Sequence, residues 1–223
     1  MREVELKALV PDLDAARASV VRAGGALVYA GRLEDRRYDT PDRRLAARDH
    51  VLRLRVYRGL SGASGAPVEH AVLTEGNGGG APGDGAHAHR VMLDWKGPTQ
   101  YDAGYKVREE LSTGASDPEA LALLLDRLGY VVTREIDREI EQYALHGATV
   151  RFERYPRMDV LVEVEGLPDG IEAAIVGIGL PREGFTAERL PAFVARFQAR
   201  TGERAALCDR ELRGEFPFRT SDA

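Results

Sequence analysis

The stretch Met1-Arg2-Glu3-Val4-Glu5-Leu6-Lys7-Ala8-Leu9-Val10 alternates polar and apolar residues strictly enough to predict a half-buried β-strand. Side chains alternate across a strand, so Glu3, Glu5 and Lys7 share one face while Val4, Leu6 and Ala8 share the other. Two acids roughly 7 Å apart on a stiff backbone can share a hard divalent cation, and an ammonium next in line can hold an anion against it. The same triplet on its own is equally a solvated strand face with a cross-strand ion pair. The remaining strands decide between the two.

They repeat the pattern. In Val51-Leu52-Arg53-Leu54-Arg55-Val56-Tyr57, two arginines share a face; Val91 to Lys96 puts Asp94 with Lys96; Tyr105 to Leu111 puts Lys106, Arg108 and Glu110 together. Val160 to Gly166 returns to the opening arrangement, with Glu163 and Glu165 on one side and Val160, Val162 and Val164 on the other. Strands are also expected at Ala26 to Tyr29, Leu33 to Asp39, Tyr130 to Ala144 and Ala148 to Glu153, the last two joined at His146-Gly147. Helices are expected after Asp12, with a stop at Gly24-Gly25, near Arg43 to Asp49, and after Asp117-Pro118, with Leu121, Leu124, Leu125 and Leu128 as the buried stripe. Three more are expected over Ile171 to Ile178, Ala187 to Thr201 and Glu203 to Gly214, within a helical C-terminal part at 170–216.

A solvated sheet face would carry mixed lysine, threonine, serine and glutamine, whereas these faces are almost wholly ionised. An α+β fold accommodates them: a closed or nearly closed antiparallel barrel of about eight strands, apolar faces outward under helices, charged faces inward. Lys7, Arg53, Arg55, Lys96, Lys106, Arg108, Arg138 and Arg151 would then line the interior with Glu3, Glu5, Glu110, Glu153, Glu163 and Glu165. Burying such charges costs several kcal/mol per ion unless partners fill the space. A triphosphate matches a basic wall, with Mg²⁺ or Mn²⁺ bridging its oxygens to the acids.

Composition narrows the classes. Of 223 residues, 30% are charged and 43% hydrophobic, the profile of a globular chain read here as one domain over 1–223. A net charge of −5 argues against general nucleic-acid binding, and no apolar run approaches a membrane span, which together predict a cytoplasmic protein. The lone Cys208 excludes an internal disulfide and a cysteine-cluster metal site, so metal ligands would be oxygens. From 59 to 90 the composition turns to glycine, alanine and histidine around Gly78-Gly79-Gly80, the pattern of a flexible hairpin insertion. No lysine-serine or lysine-threonine pair follows those glycines to make a phosphate loop, and His87 and His89 read as composition rather than as ligands.

Glu3-Val4-Glu5-Leu6-Lys7 resembles the Glu-x-Glu-x-Lys signature of the CYTH superfamily, the triphosphate tunnel enzymes that include class IV adenylyl cyclases and thiamine triphosphatases. Asp39-Thr40-Pro41-Asp42, Leu52-Arg53-Leu54-Arg55, Lys96-Gly97-Pro98, Arg108-Glu109-Glu110 and Val162-Glu163-Val164-Glu165 follow in that family's order over about residues 1–170, most like the class IV cyclase branch. The resemblance implies a metal held by Glu3, Glu5, Glu163 and Glu165, and phosphates held by Lys7, Arg53, Arg55, Lys96, Arg108 and Arg138, joined by the inward-facing Lys106 and Arg151. Lys7 and Glu153 are the candidate catalytic residues, Glu153 standing where the cyclase branch usually has an aspartate. Ile140 stands where the family often has a second basic residue, and Arg37 where a tyrosine is common. The implied activity is cyclisation of ATP to cAMP and pyrophosphate or hydrolysis of ATP, thiamine triphosphate or inorganic triphosphate. The alternative is a module that binds polyphosphate or nucleotide without turnover, and a homodimer is left open.

Overall fold

The computed structural model describes residues 2–59 and 89–223. The opening alternation forms β1 (Arg2–Leu9), and then come α1 (Leu13–Arg22), β2 (Ala26–Asp39), β3 (Val51–Gly59), β4 (His89–Lys96), β5 (Gln100–Asp102) and β6 (Tyr105–Ala115). The second half holds α2 (Pro118–Arg127), β7 (Val131–Leu145), β8 (Ala148–Arg154), β9 (Leu161–Glu165), α3 (Pro168–Ile178), α4 (Leu190–Thr201) and the short α5 (Asp209–Leu212). The hairpin insertion expected at 59–90, with His87, lies outside the described residues except at its ends, where Arg58 pairs with His89 as β3 and β4 meet.

All strand pairings are antiparallel, in the order β1-β9-β8-β7-β2-β3-β4-β6, and β6 returns to pair with β1, so eight strands close a barrel with β5 appended to β6. In a ring of eight, β1 and β9 stand opposite β2 and β3. The period-two pattern sorts the two faces as expected. Outside, Val4, Leu6 and Ala8 join Val150, Phe152, Val162 and Val164 under Val20 of α1 and Ile171, Ile175 and Ile178 of α3. A second cluster packs Phe193, Val194 and Phe197 of α4 on Leu207 and on Ile136 and Leu161, which have the inward parity of Arg138 and Glu163, so α4 caps one end of the barrel; a third sets Leu125 of α2 on the outer face at Tyr38, Leu54 and Val91. Each fully buried aliphatic side chain contributes about 1.5–3 kcal/mol, which fixes the wall with its apolar face outward.

The helix starts follow their caps: Asp12 accepts from Ala15 N–H at 2.9 Å, and Asp117 from Glu119 and Ala120 N–H at 2.9 and 3.0 Å. Some expectations need correction. The two strands foreseen between Ala26 and Asp39 are one, its register shifted by a bulge between Leu27 and Tyr29. Gly31 permits the continuous strand, because a Cβ there would lie 2.3 Å from the Arg58 carbonyl oxygen. Only a single 3₁₀ turn, Ala46–Arg48, forms near Arg43 to Asp49; the Asp39 carboxylate accepts from the Thr40, Leu45 and Ala46 N–H groups and fixes this corner. The stripe assigned to α2 is half wrong, since Leu124 and Leu128 are 56% and 64% exposed. Most of 203–214 is not helical either: Ala206 bridges to Arg157 and Leu207 accepts from Asp137 N–H, leaving only Asp209–Leu212 helical.

Candidate tunnel site

The barrel interior is a ring of charges held by neighbouring strands. On β1 and β9, Glu3, Glu5 and Glu163 are buried, as is Lys7. The Lys7 ammonium bonds both Glu5, at 3.1 Å, and Glu163, its cross-strand partner. Glu5 also accepts from Lys106, Glu163 from Arg151, and both oxygens of Glu3 take Lys96 at 2.5 and 2.6 Å. Burial pushes the Glu3 carboxyl up despite Lys96, whereas for Glu5 the opposing pull of Lys106 and Lys96 outweighs burial and holds the carboxyl down at about 2. Glu165, half-buried, lies beside Glu5 and Thr149 at the rim.

The opposite wall reverses the sign. Asp35 and Arg37 of β2 and Arg53 and Arg55 of β3 share the inward face through the pairs Asp35 with Arg55 and Arg37 with Arg53. Arg53 donates from Nε to Asp94 at 2.9 Å, and Arg55 bonds the same carboxylate. Arg138 of β7 joins Asp35 at 2.7 Å to Glu153 at 3.1 Å, and Glu153 also accepts from Arg151 and from the Tyr155 hydroxyl at 2.6 Å. The charges of Arg138 and Arg151 overcome burial and keep Glu153 below the usual carboxylate range. Arg108 is spent on the main chain, donating to the Gly97 and Asp49 carbonyls at 2.7 and 2.6 Å.

These side chains enclose a cavity of about 70 Å³ lined by nine basic residues and four carboxylates. At one end, α4 closes it with Arg189 and Leu190, together with Ala223. A separate, wider cavity of about 700 Å³, sharing no lining residue with the narrow one, has Glu3 and Glu165 at its edge and is mostly apolar, with Val4, Val28, Leu145 and Leu167 among its walls.

Comparison with known proteins agrees with this geometry. Residues 1–165 match the CYTH domain. The chain belongs to the CYTH family. A solved structure of PH1819 from Pyrococcus horikoshii is similar at TM-score 0.60 and 23% identity, covering 84% of this chain and 94% of that one. A candidate adenylate cyclase from Vibrio parahaemolyticus is similar at 0.63 and 16%, over 86% and 97% of the two chains. HpAC1 of Hippeastrum, described as having a dominant triphosphatase activity, is similar at 0.55 and 15%, over 89% and 95%. At these identities the likeness shows the fold. No curated protein sequence matches significantly.

Of the residues expected in the CYTH tunnel, Glu5, Lys7, Arg53, Lys96, Lys106, Arg108, Arg138, Arg151, Glu153 and Glu163 line the narrow cavity together. Arg55 is turned aside toward Asp94, and Glu3 and Glu165 line the separate wider cavity. Asp35, Arg37, Tyr155 and Arg189 also line the cavity and were not foreseen. Asp35 and Arg37 have the parity of Leu33 in a strand already expected, so the signal was present; Arg189 precedes a helix and carries none. Ile140 lies inside the barrel, packed with Tyr29 and Leu33 against Tyr57, and this layer fills the β2 and β7 side above Arg138. Among the described residues, no three acidic, histidine or cysteine side chains gather at one point, and no helix is long and apolar enough to cross a membrane.

Proposed function

We propose that this chain is a metal-dependent enzyme that cleaves a phosphoanhydride bond of a triphosphate held inside the barrel. One observation carries the reading: nine basic side chains line one buried cavity with only four carboxylates, and although Asp94, Glu3, Glu110 and Asp49 bond some of them from beside it, the cations are gathered where a polyanion's oxygens could take them. The acids fit a hard cation, because Glu5 and Glu163 already converge on one positive centre, the Lys7 ammonium. With two carboxylates at that point, Mg²⁺ or Mn²⁺ would complete its shell with water and phosphate oxygens. When bound, the metal supplies charge neutralisation on the transferring phosphoryl group. Arg53, Arg138, Lys96 and Arg151 would hold the non-bridging oxygens in line, and Glu153, bonded to both Arg138 and Arg151, would orient those two guanidiniums. A carboxylate held ionised by two arginines is a weak base, so Glu153 serves position more than proton transfer.

Hydrolysis is the reading supported best, since the narrow cavity has room for water but none for a sugar. In that reaction water attacks the terminal phosphorus, the bond to the bridging oxygen breaks, and diphosphate leaves as the products share out the water's protons. Cyclisation of ATP is the second reading, favoured by the cavity of about 700 Å³ beside Glu3 and Glu165, which is wide enough for a nucleoside. Incubation with inorganic triphosphate, thiamine triphosphate and ATP in Mg²⁺ and in Mn²⁺, reading phosphate, pyrophosphate and cAMP, tests both. Absence of any metal-dependent product alongside tight binding would instead support a binding module.

A further inference from the structure

The α4 end of the tunnel holds a cation that its surroundings do not satisfy. Arg37 lines the narrow cavity, its Nε is buried without a hydrogen-bond partner, and no carboxylate lies within ion-pair distance of it among the described residues. The Asp35 carboxylate, two residues away, is instead bonded by Arg138. Burial lowers the Arg37 pKa to about 9; the Asp35 carboxylate opposes the shift in part, and the nearby guanidiniums of Arg53, Arg138 and Arg189 add to it. Beyond Arg37 lies a second cavity of about 190 Å³; Arg37, Arg189 and Val51 line both, Asp39, Asp49 and Asp222 also line the second, and Arg189 is bonded to Asp49 at 3.0 Å, so of the two guanidiniums only Arg37 lacks a carboxylate. What now meets Arg37 is the segment Thr220–Asp222 with Ala223: Arg37 Nη1 donates to the Asp222 carbonyl at 3.0 Å, Arg43 holds the Asp222 carboxylate at 2.5 Å, and Ala223 is buried against the tunnel.

Resting on the proposed triphosphate reading, we propose that Arg37 and Arg189 form an anion subsite for the unesterified terminal phosphoryl group, and that the 220–223 segment occupies this subsite until phosphate displaces it. The direction follows from the neighbouring space: the cavity of about 700 Å³ beside Glu3 and Glu165 has more room for an organic substituent than the cavity of about 190 Å³ beyond Arg37, so the bare phosphoryl group is placed at Arg37. A carbonyl oxygen can satisfy one guanidinium donor, but it brings no charge, which leaves a phosphate the better partner for a half-buried cation without a carboxylate.

The test is calorimetric titration of the full chain with inorganic triphosphate. Arg37→Gln should weaken binding about tenfold, the loss of one charge-assisted hydrogen bond. Arg189→Gln, at a part-exposed position that spares folding, should weaken it severalfold. Arg43→Gln, which frees the segment without entering the tunnel, should tighten binding and speed association. ATP should lose as much as inorganic triphosphate in Arg37→Gln, because both end in a bare phosphoryl group; a loss confined to inorganic triphosphate would overturn the direction assigned. If the parent binds triphosphate and all three variants bind it unchanged, the subsite is wrong while the tunnel reading stands. If the parent itself does not bind, the tunnel reading has failed.

Discussion

Two facing walls of one barrel carry opposite charge. The inward faces of β1 and β9 present Glu3, Glu5, Glu163 and Glu165 with Lys7 alone among them, while those of β2 and β3 present Arg37, Arg53 and Arg55 with Asp35 alone. Neither wall neutralises the other across the cavity. The acids pair sideways with Lys96, Lys106 and Arg151, and the arginines with Asp94. Such lateral pairing compensates most of these charges, Arg37 being the exception, without collapsing the wall spacing, and it preserves a polarity in which a cation suits one side and an anion the other.

The sharpest way to break the comparison is to neutralise the acid wall. Glu5→Gln removes one of the two carboxylates that converge on the Lys7 ammonium, and metal-dependent turnover of inorganic triphosphate should fall on the order of 1000-fold, the loss of several kcal/mol of transition-state stabilisation. Metal-free affinity for triphosphate should be unchanged or tighter, because the lost group is not a phosphate contact. Turnover near the parent level would sink the assignment. Arg53→Ala strikes the other wall and should act on binding itself, weakening triphosphate by about 1.5–3 kcal/mol, roughly 10- to 150-fold, as one charge-assisted contact is lost. If calorimetry shows Arg53→Ala sparing affinity while Glu5→Gln destroys it, the walls have been assigned the wrong way round.

Acid titration sharpens the contrast within one wall. The Glu5 carboxyl is lowered from 4.5 to about 2, so its contribution to stability is fully present above pH 4.5 and is lost as the pH falls toward 2. Glu3 is raised, so its folded form takes up a proton before its unfolded form does, and it opposes that acid loss. Thermal unfolding followed from pH 6 to pH 2 should therefore show a shallower acid decline in Glu5→Gln and a steeper one in Glu3→Gln, each a difference of a few degrees at roughly 2–4 °C per kcal/mol. Equal slopes would mean that the two glutamates share one environment.

Much of this was legible because a closed barrel turns strand alternation into an inside and an outside. Glu3, Glu5 and Lys7 reach the interior for the same reason that Val4, Leu6 and Ala8 reach the helices. Alternation gives the face of a side chain but not its partner. Arg55 has the parity of Arg53 yet is drawn to Asp94, whose carboxylate lies directly across from Arg53 on β4. It is also silent where the interior is apolar: Leu33 and Ile140 occupy inward positions that a rule of charged-inside would not assign to them. Arg189 and Ala223 come from segments beyond the barrel, and nothing local in the chain says that a helix start and a distant segment will close one end of the tunnel. The stripe of α2 failed for a related reason, as helical spacing selects a face without saying how much wall is there to cover it.

The smallest expected effect is the most telling about the walls. Arg53 and Asp94 are bonded at 2.9 Å and buried, so removing either leaves an uncompensated charge and removing both restores balance. A double-mutant cycle with Arg53→Gln and Asp94→Asn should show a coupling of about 0.5–3 kcal/mol in unfolding free energy, the range for residues in direct contact. Arg55 and Ser112 also bond Asp94, and their continued hold on the carboxylate puts the coupling in the lower part of that range. The cycle of Glu5→Gln with Arg53→Gln should be additive to within about 0.5 kcal/mol, because Glu5 is bonded to Lys7 and Lys106 and Arg53 to Asp94 and Glu110, with no shared partner between them. Added inorganic triphosphate with Mg²⁺ should change that second result. A ligand that touches both walls makes the removal of either wall's charge depend on the other, so the Glu5 and Arg53 effects, additive in the free protein, should become coupled in the complex. Strong coupling of Glu5 to Arg53 without ligand would show that the walls already neutralise each other, and the polarity on which the proposed chemistry stands would be gone.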